Sequence, residues 1–216
     1  MKRKQLTKPI IQTKKSQAAM TPKQALELLK AGNKRFIEGE MLNRDLREQR
    51  SATTGGQYPY TVILSCQDSR TSSEVLFDLN KGDAFSIRIA GNIVNEDVLG
   101  GMEFSTELMG AKLIAVIGHT RCGAIRGAID NAQLGNLTAL LRKIRPAVES
   151  TLEVIKPEGP VDSKFIEAVA KANVLLAMRQ IRERSRIIKS LIKSEKIGLV
   201  GGMYNLATGK VTFYED

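Results

Sequence analysis

Apolar residues recur along this chain in two rhythms. Short continuous runs at 60–64 (YTVIL), 84–90 (AFSIRIA) and 113–117 (LIAVI) are rich in β-branched side chains and stop at glycine or polar residues. Runs of that length and make-up read as strands buried on both faces. Between them apolar positions return every three or four residues, the period of a helix with one buried face. Thr21-Pro22 offers an N-cap followed by proline at the first helical position, and Ala25, Leu28, Leu29, Gly32 and Phe36 continue the stripe, predicting a helix over 21–37. Further helical patterns fall at 73–79, 97–109, 124–132, 137–155 and 163–194, while 51–59 (SATTGGQYP) reads as a loop. Segments 198–204 and 210–214 read as a terminal hairpin closed around Ala207-Thr208-Gly209.

Strands alternating with helices predict an α/β fold: a single domain with a mainly parallel central β-sheet flanked by helices, an N-terminal helical arm and a C-terminal strand hairpin. Residues 1–19 are polar and basic and are expected to form a flexible basic arm, leaving 20–216 as the folded domain. A length of 216 residues suits one such domain. With 42% apolar and 26% charged residues, wholesale disorder is excluded.

The net charge of +10 is unevenly placed. The first fifteen residues hold Lys2, Arg3, Lys4, Lys8, Lys14 and Lys15 and no acid; a second cluster runs from Lys171 to Lys196, opposed there by Glu183 and Glu195. Such clusters suit nucleic acid or anionic membranes, but more often they are solvated faces. No aromatic residue precedes Phe36, so the basic arm has no base-stacking platform. After Lys2-Arg3-Lys4 the apolar stretch is only Pro9-Ile10-Ile11, and nowhere do about 18 apolar residues follow one another as a membrane span requires. The expectation is a cytoplasmic protein with no nucleic-acid or membrane partner.

Two cysteines and one histidine are too few for a disulfide framework, but they suit another pattern. In parallel sheets ligands bind beyond the carboxyl ends of the strands. Cys66 follows the first run, and His119 and Cys122 form a His-x-x-Cys pair after the third. If those strand ends adjoin, two thiolates and an imidazole meet, a donor set zinc favours; three protein ligands leave one position open, as catalytic sites do. Against this, cysteine is among the most often buried residue types for packing reasons alone. The neighbourhood adds weight. Asp68 and Arg70 alternate with Cys66, placing a carboxylate and a guanidinium in reach of a bidentate pair, which would equally serve as a structural salt bridge. Gly118 and Gly123 allow close backbone approach, and a helix starting at Gly123 offers free N–H groups.

Cys66-Gln67-Asp68-Ser69-Arg70, taken with Gly118-His119-Thr120-Arg121-Cys122-Gly123-Ala124, resembles the signature of the β-class carbonic anhydrases. The likeness extends over about residues 20–216 through Gly56-Gln57-x-Pro59, Gly82-Asp83-x-Phe85, Ala90-Gly91-Asn92, Glu103-Phe104, Tyr204 and Thr208-Gly209. It implies a lyase that reversibly hydrates carbon dioxide to bicarbonate and a proton, by attack of zinc-bound hydroxide. It further implies Cys66, His119 and Cys122 as zinc ligands, Asp68 and Arg70 as the catalytic pair, and Gln57 and Gly123 as contacts of carbon dioxide or bicarbonate. Asp68 would become a fourth metal ligand only in a closed, inactive state. A homodimer or higher homo-oligomer is expected, with the N-terminal helices embracing the partner.

Departures from the family pattern are Ile89 where Asn is common, Thr71 where Val is usual, and the absence of tryptophan, which the bicarbonate-inhibition site of some members uses. The competing readings are a non-catalytic zinc-binding homologue, a related hydrolase of carbonyl sulfide or carbon disulfide, and a cysteine hydrolase with Cys122 activated by His119.

Overall fold

A computed structural model describes residues 11–157 and 159–214. Among these, a five-stranded sheet has the order β2-β1-β3-β4-β5, with β1 Thr61–Ser65, β2 Ala84–Arg88, β3 Leu113–His119, β4 Gly198–Tyr204 and β5 Val211–Tyr214. The first four strands run parallel, and β5 turns back antiparallel on β4. The mainly parallel sheet and the terminal hairpin follow the sequence expectation. One boundary differs in a useful way: β3 continues through His119, so this side chain is fixed by a sheet ladder opposite Tyr204.

Both faces of the sheet are covered, which is why its strands are apolar without alternation. Val62, Leu64, Ile114 and Val116 face α5 (Glu96–Glu103), α9 (Ser163–Arg184) and α10 (Arg186–Lys193). Ile63, Leu113, Ala115 and Ile117 face α2 (Pro22–Glu38) and α4 (Ser73–Leu76). A third cluster gathers Cys66 and Cys122 with Ile125 of α6 (Gly123–Ile129), Ile144, and Val169 and Ala170 of α9. α7 (Gly135–Arg142) and α8 (Arg145–Val154) close over this cluster.

Several segments differ from their sequence reading. Residues 14–19, expected in the flexible arm, form α1 (Lys14–Ala19), capped by Thr13. The cause is tertiary: Gln17 is buried and donates to the carbonyls of Pro59 and Met109, 2.7 and 2.8 Å away. The rest of the expected arm, residues 1–10, lies outside the described residues. α3 (Leu46–Thr53), capped at its start by Asp45, runs into the segment read as a loop; its buried Gln49 is tied to the Asn80 side chain and the Lys81 amide. The continuous helix expected over 163–194 breaks at Ser185, whose hydroxyl accepts from Ile188 and starts α10. In α2 the stripe of Ala25, Leu26, Leu29 and Gly32 packs on the chain's own core.

Candidate metal centre

β1 and β3 are neighbours in parallel register, Ser65 opposite Ile117, so the residues that follow β1 lie beside the end of β3. That register brings Cys66 and His119 together from positions more than fifty residues apart. Gly118 permits the close packing, since a Cβ there would stand 2.7 Å from Val174 Cγ2 and 2.8 Å from Met203 Sδ. The chain then turns at Arg121, whose φ of +55° is left-handed and costly for a residue with a Cβ. This turn delivers Cys122 to the N-cap of α6 and folds the His-x-x-Cys pair back on itself.

The donor atoms of Cys66, His119 and Cys122 all lie within 4.8 Å of one another, and all three residues are buried. The two sulfurs are 3.9 Å apart and unbonded. His119 Nδ1 stands 2.9 Å from the Thr120 carbonyl. A carbonyl only accepts, so Nδ1 carries the hydrogen and the Nε2 lone pair is left facing the sulfurs. Nε2 is buried without a hydrogen-bond partner. Sharing a proton with Cys122 favours the ionised form of Cys66 and lowers its thiol. The same shared proton and burial push Cys122 up, because a second thiolate beside the first needs a cation. An orphaned imidazole nitrogen beside two sulfurs that share a proton fits a soft divalent ion with nitrogen and sulfur ligands.

Asp68 stands outside this group and is held by Arg70. Arg70 Nε donates to Oδ1 at 2.8 Å, Nη2 to Oδ2 at 2.7 Å, and the Arg70 amide to Oδ1 at 3.0 Å. The guanidinium holds the carboxyl well below the usual carboxylate range. Both oxygens therefore accept from Arg70. Gly123 begins α6 with nothing within 4 Å of a would-be Cβ, so its N–H lies at an uncrowded helix start. Gln57 is exposed and lies elsewhere in this chain. It precedes Pro59 and Tyr60, which are hydrogen-bonded at the amino end of the sheet, whereas Cys66 follows the carboxyl end of β1.

Supporting contacts came without a clear sequence signal. Arg88, at the end of β2, donates to the carbonyls of Cys66 (3.2 Å) and Asp68 (2.6 Å) and pins the loop between them. Thr71, standing where the family usually has Val, is buried and donates its hydroxyl to the same two carbonyls. Ile89 is partly buried and packs against two apolar clusters, one of which contains Cys66 and Cys122. The Gly91 amide donates to Cys66 Sγ at 3.4 Å.

A family model described as carbonic anhydrase matches residues 61–211. A carbonic anhydrase of Mycolicibacterium smegmatis is 31% identical over 191 residues, 88% of this chain and 92% of that protein. Carbonic anhydrase 2 of Mycobacterium tuberculosis is 29% identical over 88% of this chain and 91% of its own length. Among solved structures, the β-carbonic anhydrase CcaA superposes with a TM-score of 0.71 at 27% identity, covering 88% of this chain and 87% of the other. One of two tetrameric β-carbonic anhydrases from Sordaria macrospora shares the fold with a TM-score of 0.69 at 21% identity, over 77% and 85% of the two chains.

Proposed function

This chain belongs to the β-class carbonic anhydrase family, whose zinc-dependent reaction is the reversible hydration of carbon dioxide to bicarbonate and a proton, and we propose how its residues divide that work. Cys66, His119 and Cys122 hold the zinc ion. When bound, zinc acts as a Lewis acid that makes hydroxide available from water near neutral pH. The observation that carries this assignment is the buried, unpartnered Nε2 of His119 facing two sulfurs 3.9 Å apart.

Asp68 accepts a hydrogen bond from the attacking oxygen and so aims a lone pair of that oxygen at the carbon of carbon dioxide. Arg70 keeps the carboxylate ionised and fixes its plane through two parallel bonds. The Gly123 N–H donates to an oxygen of the substrate, where the start of α6 also favours the negative charge that develops. The walls formed by Ile93, Ile125 and Ala124 exclude water from the sulfurs.

Gln57 donates to an oxygen of bicarbonate from a second copy of the chain, since it sits at the opposite end of β1 from Cys66. A dimer or larger homo-oligomer is therefore part of the reading. An open depression of about 770 Å³ on the outer face of α1 and α2, with Ala19, Met20, Leu28 and Ala31 in its wall, supports such a contact. Free buried thiols suit a reducing compartment, and we place the protein in the cytoplasm. Among the described residues no helix is long and apolar enough to cross a membrane. A Cys122 nucleophile is the poorer reading, because it leaves a second thiol 3.9 Å away without a part.

The deciding experiment is metal content with stopped-flow hydration of carbon dioxide on the wild type and His119→Ala. The wild type is expected to hold about one zinc per chain, and the variant to lose both metal and activity. A zinc-free protein that hydrates carbon dioxide at full rate overturns the assignment.

A further inference from the structure

Asn173 is an odd residue for its place. It lies inside the 22-residue α9, between Ala172 and Val174, is 2% exposed, and belongs to a type that weakens helix interiors. A buried amide needs a partner, and its helix provides none that requires asparagine. Its Nδ2 donates to the Gly91 carbonyl at 2.7 Å. The Gly91 amide in turn donates to Cys66 Sγ at 3.4 Å.

Gly91 is built to be held. Its φ of +66° is left-handed, and a Cβ there would lie 2.6 Å from Ile144 Cδ1 and 3.3 Å from the Ala124 Cβ. Glycine therefore fits by both conformation and space, but glycine alone is also the residue freest to rotate. One bond to its carbonyl from a rigid helix removes that freedom and aims its amide at the sulfur. We propose that Asn173 is a positioning residue of the metal centre, acting through Gly91 to hold an N–H on Cys66 and so to set the orientation and donor strength of that thiolate. This rests on the metal reading above. Outer contacts of this kind govern how firmly and how strongly a ligand binds its ion.

The test uses cobalt(II) loaded into the full-length protein in place of zinc, read by its sulfur-to-cobalt charge-transfer bands and by release of cobalt to a chelator. Asn173→Ala and the similarly sized Asn173→Leu, which removes the donor, are expected to release cobalt about 10- to 100-fold faster. Their charge-transfer bands move to lower energy, because a thiolate that loses an N–H bond is more electron-rich. Ile181→Ala, in the same helix and fully buried in the apolar core, is the control: its melting temperature falls while bands and release rate stay at wild-type values. Asn173 variants that match the wild type in bands and release overturn the proposal. So does the same change in Ile181→Ala, which would mean general loosening. Failure of the wild type to take up cobalt or zinc is a different outcome and overturns the metal reading itself.

Discussion

At Asp68 the decisive fact is that both carboxylate oxygens are already held by one guanidinium. Asp68→Asn keeps the shape but loses the charge and one acceptor, so the variant is expected to retain its metal and lose on the order of 10² to 10⁴ in turnover. Metal analysis beside stopped-flow rates checks this, and loss of the metal would make Asp68 a ligand instead. Asp83 shows the opposite electrostatics. Its Oδ2 accepts from the Asn80 amide, its Oδ1 is buried without a partner, and burial pushes its carboxyl up to about 6. The folded state thus binds this proton more tightly than the unfolded chain, whose group titrates near 3.8. The contribution favours folding at low pH and is lost as pH rises from about 4 through about 6, at most about 3 kcal/mol. Asp83→Asn removes that slope. The stability difference between variant and wild type, from denaturant midpoints, should move in favour of the variant by up to that amount between pH 4 and pH 7; a constant difference rejects the account. The motif residues were legible in the sequence because their types are rare and chemically committed. Arg88, Thr71 and Asn173 were not, since their work is done through backbone groups that carry no residue signature.

At the scale of elements, α2 shows how one glycine seats a helix. A Cβ at Gly32 would run into the backbone carbonyl of Phe77, which no side-chain rotation relieves. Gly32→Ala should therefore lift α2 from α4 and cost on the order of 1–3 kcal/mol or more, although alanine favours helices; an unchanged urea midpoint would show that the two elements are not closely packed. The period of 3.6 predicted this helix over 21–37, and it forms at Pro22–Glu38. Periodicity alone does not say whether such a stripe meets the chain's own core or a partner. The fold gives Ala25, Leu26 and Leu29 to its own core and leaves Leu28 outward. The short α1 was missed because its binding energy lies in Gln17 reaching two carbonyls 42 and 92 residues away, a signal no local pattern carries.

Over the whole molecule, proton traffic follows from a count. The chain has one histidine; its Nδ1 donates to the Thr120 carbonyl, and its buried Nε2 is the nitrogen assigned to the metal. No imidazole remains to carry the product proton outward, although histidine is the usual carrier near neutral pH. Turnover at saturating carbon dioxide should therefore climb with buffer concentration before levelling, and a rate that is flat from low to high buffer would require an internal carrier. By itself the sequence determined the α/β class, the order of its strands along the chain, and the short motifs that carry the candidate chemistry. Each of these is written in local apolar periodicity or in a short motif. Only the tertiary structure decided that β1 lies beside β3 so that Cys66 meets His119, that Gln57 lies at the far end of the sheet, and that Asn173 reaches Gly91. Those pairings depend on register and packing between segments tens of residues apart, where the free energy belongs to the contact and to neither segment alone.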